Sequence, residues 1–174
     1  APTNICWGDR NRSVLVRVPL GWLGASQMIH DANPAEPSGK AEKVSRQTVE
    51  LRSPDGSADI YLLMAGIAIA IQHGLEMPGA LEMAEKLYVN YNIFREKDKA
   101  AEKKLESLPA SCWDSADALL SLRKHFEKDG IFPAGVIDAL ASKLKSYKDK
   151  NLSEELYGNN EAIAKLVKEY LHCG

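Results

Sequence analysis

The sequence predicts an α+β fold, with a few N-terminal strands followed by a predominantly α-helical C-terminal bundle. Three observations predict it. Before residue 58 apolar and polar residues alternate at period two; after it the apolar positions recur every three to four residues; and the runs after it are punctuated by helix-capping residues rather than hairpin turns. The division is therefore between residues 1–57, strands and a loop, and residues 58–174, helical.

In order along the chain, Val14, Val16 and Val18 alternate with Ser13, Leu15 and Arg17, and Val49 and Leu51 alternate with Thr48, Glu50 and Arg52. Each stretch reads as a strand with one aliphatic face and one face carrying chemistry. Residues 20–45, with "DANPAEPSGKAEK" at their centre, read as an exposed loop. "SPDGS" at 53–57 is a turn, and Asp59 or Ser57 is placed to cap the next helix. That helix contains "IYLLMAGIAIAI" at 60–71, too short to span a bilayer at roughly 20 residues, and reads as fully buried, stopping near His73-Gly74. A second helix is predicted from Ala80 to about Asp98, with Leu81, Ala84, Leu87, Tyr88 and Tyr91 on one stripe. "REKDKAAEKKLES" reads as a solvated helix or connector. Asp114 or Ser115 is placed to cap the run ending at Gly130, Pro133 opens the next, and Asn160 caps "EAIAKLVKEYLH".

Composition narrows the function. A net charge of -2 and a pI near 6.1 exclude the basic footprint of a nucleic-acid binder, and nothing points to a membrane. Three widely spaced cysteines, Cys6, Cys112 and Cys173, read as reduced thiols of a cytoplasmic protein. No secretory leader opens the chain, and its start without Met reads as the middle of something larger. "PSGKA" lacks the glycine and the Ser or Thr of a phosphate loop, the histidines have no metal-ligand spacing, and no GxSxG elbow occurs.

The cations are unevenly placed. Five of seven arginines (Arg10, Arg12, Arg17, Arg46, Arg52) lie in the first 52 residues, whereas thirteen of fifteen lysines follow residue 85. Arginine's planar fork matches phosphate and carboxylate oxygens in pairs, so the front of the chain reads as anion-handling. The plainer reading is that these arginines only pair with Asp9, Glu42 or Glu50. Residues two apart on a strand project to one face about 7 Å apart, so Glu50 and Arg52 would set a cation-binding carboxylate beside an anion-binding guanidinium. With Arg12 and Arg17 this is a set suited to phosphoryl transfer, where fixed charges neutralise the transferred group.

"NRSVLVRVP" followed by "VELRSPDGSADIYLLMAGIAIA" resembles the paired signatures in the C-terminal part of glutamine synthetases, and the later segments "YVNYNIFREKDKA" and "LPASCWDSADALLSLRKHFEKDG" resemble its long type III branch. The resemblance implies strands from the catalytic sheet of an ATP-dependent ligase that makes glutamine from glutamate and ammonia through γ-glutamyl phosphate. It implies that Arg12 and Arg17 contact the phosphates of ATP, that Glu50 is a ligand of Mg2+ (or Mn2+), and that Arg52 steadies the transferring phosphoryl group. It further implies a homo-oligomer, dodecameric rings in the family, completed by the missing N-terminal part of the same enzyme. The glutamate that shapes the family's ammonia site would be the residue just before Ala1. "SRQT" stands where short-branch enzymes carry a basic run, leaving Arg46 as the cation there. The chain alone is then expected to be inactive; the competing class is a non-catalytic helical interaction module.

Overall fold

The computed structural model describes residues 2–19, 32–35 and 48–171. The chain forms two compact units, Ala1–Ser53 with Leu81–Ser107, and Pro54–Ala80 with Leu108–Gly174.

In the first unit, β1 (Trp7–Asp9), β2 (Val16–Val18) and β3 (Glu50–Leu51) form a sheet in that order. β1 and β2 run parallel with Trp7 opposite Val16, and β2 and β3 run antiparallel with Arg17 opposite Glu50. The two valine-bearing strands expected from the alternation are present but shorter. β1 was not expected, because glycine and aspartate in "WGD" weaken any strand signal. Val14 precedes β2 and turns fully inward, where it packs with Cys6, Val89 and Ile93.

Val89 and Ile93 come from the segment predicted as one helix from Ala80 to about Asp98. Instead α1 (Ala80–Leu87) ends, the chain runs across the sheet edge, and α2 (Lys97–Lys103) follows. Tyr88 bridges Trp7, and the Val89 N–H donates to the Trp7 carbonyl at 2.8 Å. The Trp7 indole donates to the Ala84 carbonyl at 2.7 Å. Backbone pairing with β1 overrides the helical stripe here, an example of tertiary context outweighing periodicity. The lysine-rich α2 stops at Lys104, which is left-handed with φ 50°.

The second unit is helical: α3 (Ile60–Glu76), α4 (Cys112–Ser121), α5 (Arg123–Phe126), a 3₁₀ turn (Lys128–Gly130), α6 (Ala134–Ser146), α7 (Leu152–Leu156) and α8 (Asn160–Tyr170). Asp59 caps α3, accepting from the Tyr61 and Leu62 N–H groups. α3 runs past Gly74, whose cost of about 1 kcal/mol relative to alanine is too small to end it; the left-handed residue is Gly79. Nor is α3 buried all round. Ile69 reaches the core with Phe132 and Ile137, while Ile60, Tyr61, Met64, Ile71 and Leu75 are exposed. α4 packs along α6, and its cap is Ser111, accepting from the Asp114 N–H at 3.0 Å, three residues before the expected Asp114. Asn159, one residue before the expected cap, caps α8. Among the described residues no single helix is long and apolar enough to cross a membrane.

Candidate active site

The site is built on the antiparallel pair β2–β3. Because Arg17 stands opposite Glu50 in register, both side chains leave the same face of the sheet. Glu50 Oε2 lies 3.1 Å from Arg17 Nε, and Oε1 lies 3.3 Å from Arg52 Nε. One carboxylate thus stands between two guanidinium groups. The Arg17 Nε–H is at ion-pair distance yet is not aimed to make a hydrogen bond, and this buried nitrogen has no hydrogen-bond partner among the described residues.

Arg52 is more firmly held. Its Nη1 donates to the carbonyls of Arg12 and Val14, the latter at 3.2 Å, and its backbone N–H donates to the Leu15 carbonyl at 3.0 Å. The side chains of Arg17 and Arg52 are 20% and 22% exposed and that of Glu50 is 42% exposed. Ion pairs this open to water contribute about 0–1 kcal/mol each. They are weak as braces, and the arginines are reachable from solvent.

Arg12 occupies the turn before β2 with its side chain exposed. The structure therefore brings Arg17, Glu50 and Arg52 together and ties Arg12 to them through its carbonyl. Among the described residues, three guanidinium charges stand against the one carboxylate of Glu50. Arg10, by contrast, pairs with Asp9 at 3.1 Å, and both are exposed. The plainer pairing is thus present at Arg10 and, in part, at Glu50. Glu42 and Arg46 lie outside the described residues.

Each carboxylate oxygen has two acceptor sites, so pairing with arginine leaves Glu50 capacity for a cation. A hard divalent cation takes six or more oxygens, however, and among the described residues no three His, Cys, Asp or Glu side chains are grouped to hold one. The described residues offer one carboxylate here, Glu50, and not the several oxygens that such a cation takes.

Two residues that sequence reasoning passed over also belong here. Asn11 and Ser13 flank Arg12 and bond to each other and to the strip 89–93. The signal for them was available in the "NRS" triplet itself, since Asn side chains commonly bond backbone two residues on.

The family described as "Glutamine synthetase, catalytic domain" matches residues 1–152, including every one of these positions. The chain belongs to the glutamine synthetase family. Curated relatives named glutamine synthetase include proteins of Thermococcus kodakarensis, 31% identical over 68% of this chain and 21% of its own length, and Pyrococcus abyssi, 28% identical over 84% and 26%. The glutamine synthetase of Thermotoga maritima is 31% identical over 83% of this chain and 25% of its own length. The chain thus spans about a fifth to a quarter of the length of these relatives, and is consistent with the C-terminal part of a glutamine synthetase. No solved structure gives a significant match.

Proposed function

We propose that this chain supplies the phosphate-gripping part of a glutamine synthetase active site, in an enzyme that joins ammonia to glutamate at the expense of ATP. The observation that carries the reading is the Arg17–Glu50–Arg52 cluster on β2 and β3, with Arg52 fixed to the carbonyl of Arg12. In this reading Arg12 and Arg17 hold nucleotide phosphates. The uncommitted Arg17 Nε–H supports that role, because a buried donor without a partner is costly and an anion oxygen would satisfy it. Arg52 faces the phosphoryl group in transfer, its guanidinium already oriented by two carbonyl acceptors and the ion pair with Glu50 so that no reorganisation accompanies the development of charge. Glu50 would give one oxygen to Mg2+ or Mn2+, the remaining ligands coming from elsewhere in the enzyme; when bound, the cation would share the neutralisation of phosphate charge.

The parent enzyme is, in this proposal, a cytoplasmic homo-oligomer of the long type III kind, and the 174-residue chain is inactive by itself. The test is kinetic. In the full-length enzyme, Arg52→Lys should lower kcat by on the order of a hundredfold, since lysine cannot reproduce the fork. Arg123 pairs with Glu127 and Asp138 on the helical unit. Arg123→Lys should leave kcat unchanged and cost at most about 0.5–1 kcal/mol of stability. Equal kinetic losses from the two substitutions would rule out the assignment.

A further inference from the structure

We propose that Asn11 and Ser13 are positioning residues that hold Arg12, and through its carbonyl Arg52, in the geometry that grips phosphate; the proposal rests on the phosphate-binding reading of those arginines. Asn11 Oδ1 accepts from the Ser13 N–H at 2.9 Å and from Ser13 Oγ at 2.7 Å. Asn11 Nδ2 donates to the carbonyls of Val89, at 3.3 Å, and Tyr91, at 2.7 Å. Ser13 Oγ in turn accepts from the Ile93 N–H at 3.1 Å. Every strong donor and acceptor of the two side chains is therefore used, and both grip the backbone of the strip 89–93.

Position 12 is the one position between them, and its side chain is exposed while Ser13 is 2% exposed and Val14 fully buried. The bracket thus ties down the backbone on either side of an arginine that faces solvent. The Arg12 carbonyl, held in the same turn, is an anchor for the Arg52 guanidinium. An error in the turn would reach both cations at once. Beneath the bracket Val14 packs with Val89 and Ile93, so the strip it grips is itself anchored in the core. A loop staple with no bearing on the site would have no reason to coincide with both the phosphate-facing side chain and the carbonyl that orients its neighbour.

Steady-state kinetics of the full-length enzyme with ATP as the varied substrate separates positioning from simple stabilisation. Asn11→Ala and Ser13→Ala should each lower kcat/KM for ATP about ten- to a hundredfold, the range that small misplacements of binding groups produce. In a background carrying both Arg12→Ala and Arg52→Lys the same replacements should have less than about a threefold further effect, because both guanidinium groups they act through are then lost. Leu105→Ala, which loosens the same core cluster without touching the bracket, should lower Tm comparably and leave kcat/KM unchanged.

Additive losses in the background lacking both guanidinium groups, or wild-type kcat/KM in folded Asn11→Ala and Ser13→Ala, would overturn the positioning role. Full activity of Arg12→Ala alone would instead overturn the phosphate reading of the Arg12 side chain and, with it, the proposal that the bracket serves that side chain. Should Asn11→Ala not fold, Ser13→Ala, which removes a single oxygen, decides the question.

Discussion

At the scale of single residues, backbone clearance and local charge make the strongest statements. A Cβ added to Gly8 would lie 2.3 Å from the Val89 carbonyl oxygen and 3.3 Å from the Asn11 Cβ. The first neighbour is backbone and is itself bonded by Asn11, so it cannot swing away. Gly8→Ala should cost about 1–3 kcal/mol in urea unfolding, with accelerated amide exchange at Val89. An unchanged midpoint would mean the strip is looser than described.

His125 offers a second test at this scale. Its ring lies 4.5 Å from that of His73, with Glu76, Lys124, Lys128 and Asp129 as charged groups around the pair, and its pKa is lowered by burial and then by the charge of His73. The folded chain therefore binds this proton less readily than the unfolded one, so stability falls as pH drops through the unfolded histidine value of about 6.5. The urea midpoint of the helical unit should be lower at mildly acidic pH than at neutral pH. His125→Gln should remove the part of that fall that sets in at the unfolded histidine value.

Among the elements, α4 shows how a distant loop finishes a helix. Asp149, beyond the end of α6, accepts from the N–H groups of Cys112 at 2.7 Å and Trp113 at 3.1 Å. Burial works against its ionisation, but these bonds outweigh it and hold the carboxyl below its ordinary value. Its stabilisation is therefore present at neutral pH and lost as pH falls through the folded value, below the histidine window. Lys145 ties the same two helices together, pairing with Asp117 at 2.6 Å and lying over the Trp113 ring. Asp149→Ala should lower stability by about 1–2 kcal/mol, with the loss read at neutral pH and shrinking in acid. Constant loss across the range would remove charge as its cause.

The capping residues of α4 and α8 illustrate what a single chain can and cannot indicate about element boundaries. Ser111 and Asn159 stand beside equally good candidates, Asp114, Ser115 and Asn160. Choosing among them depends on where the incoming chain bends, which the neighbouring helix decides.

For the molecule as a whole, the exposed face of α3 and the incomplete metal ligand set carry the same implication. Ile60, Tyr61, Met64, Ile71 and Leu75 leave an apolar stripe open on α3, and stripes of this kind drive association. Light scattering on the 174-residue chain should show dimers or larger species, and Met64→Glu combined with Ile71→Glu should shift it toward monomer. The same chain should form no glutamine from glutamate, ammonia and Mg-ATP. Turnover abolished by Glu50→Ala would make it a complete catalyst and overturn the proposal that it supplies only part of a site.

What the sequence by itself determined is the class of fold, the family and the arginines with their carboxylate. The family follows from the resemblance of the two strand motifs, and the others from local chemistry: alternation at period two sets which side of a strand faces the core, and Glu50 and Arg52 share a face because they are two residues apart. What only the tertiary structure decided is everything that depends on contacts between remote segments. The run from Tyr88 to Ile93 has apolar spacing compatible with a helix, yet it lies along β1 because Trp7 offers backbone partners there. The bracket of Asn11 and Ser13 exists only because that run arrives beside them, some 80 residues later in the chain. Local spacing records what each residue prefers alone; the backbone hydrogen bonds formed with a distant strip are worth more than that preference, and they decide where the run from Tyr88 to Ile93 lies.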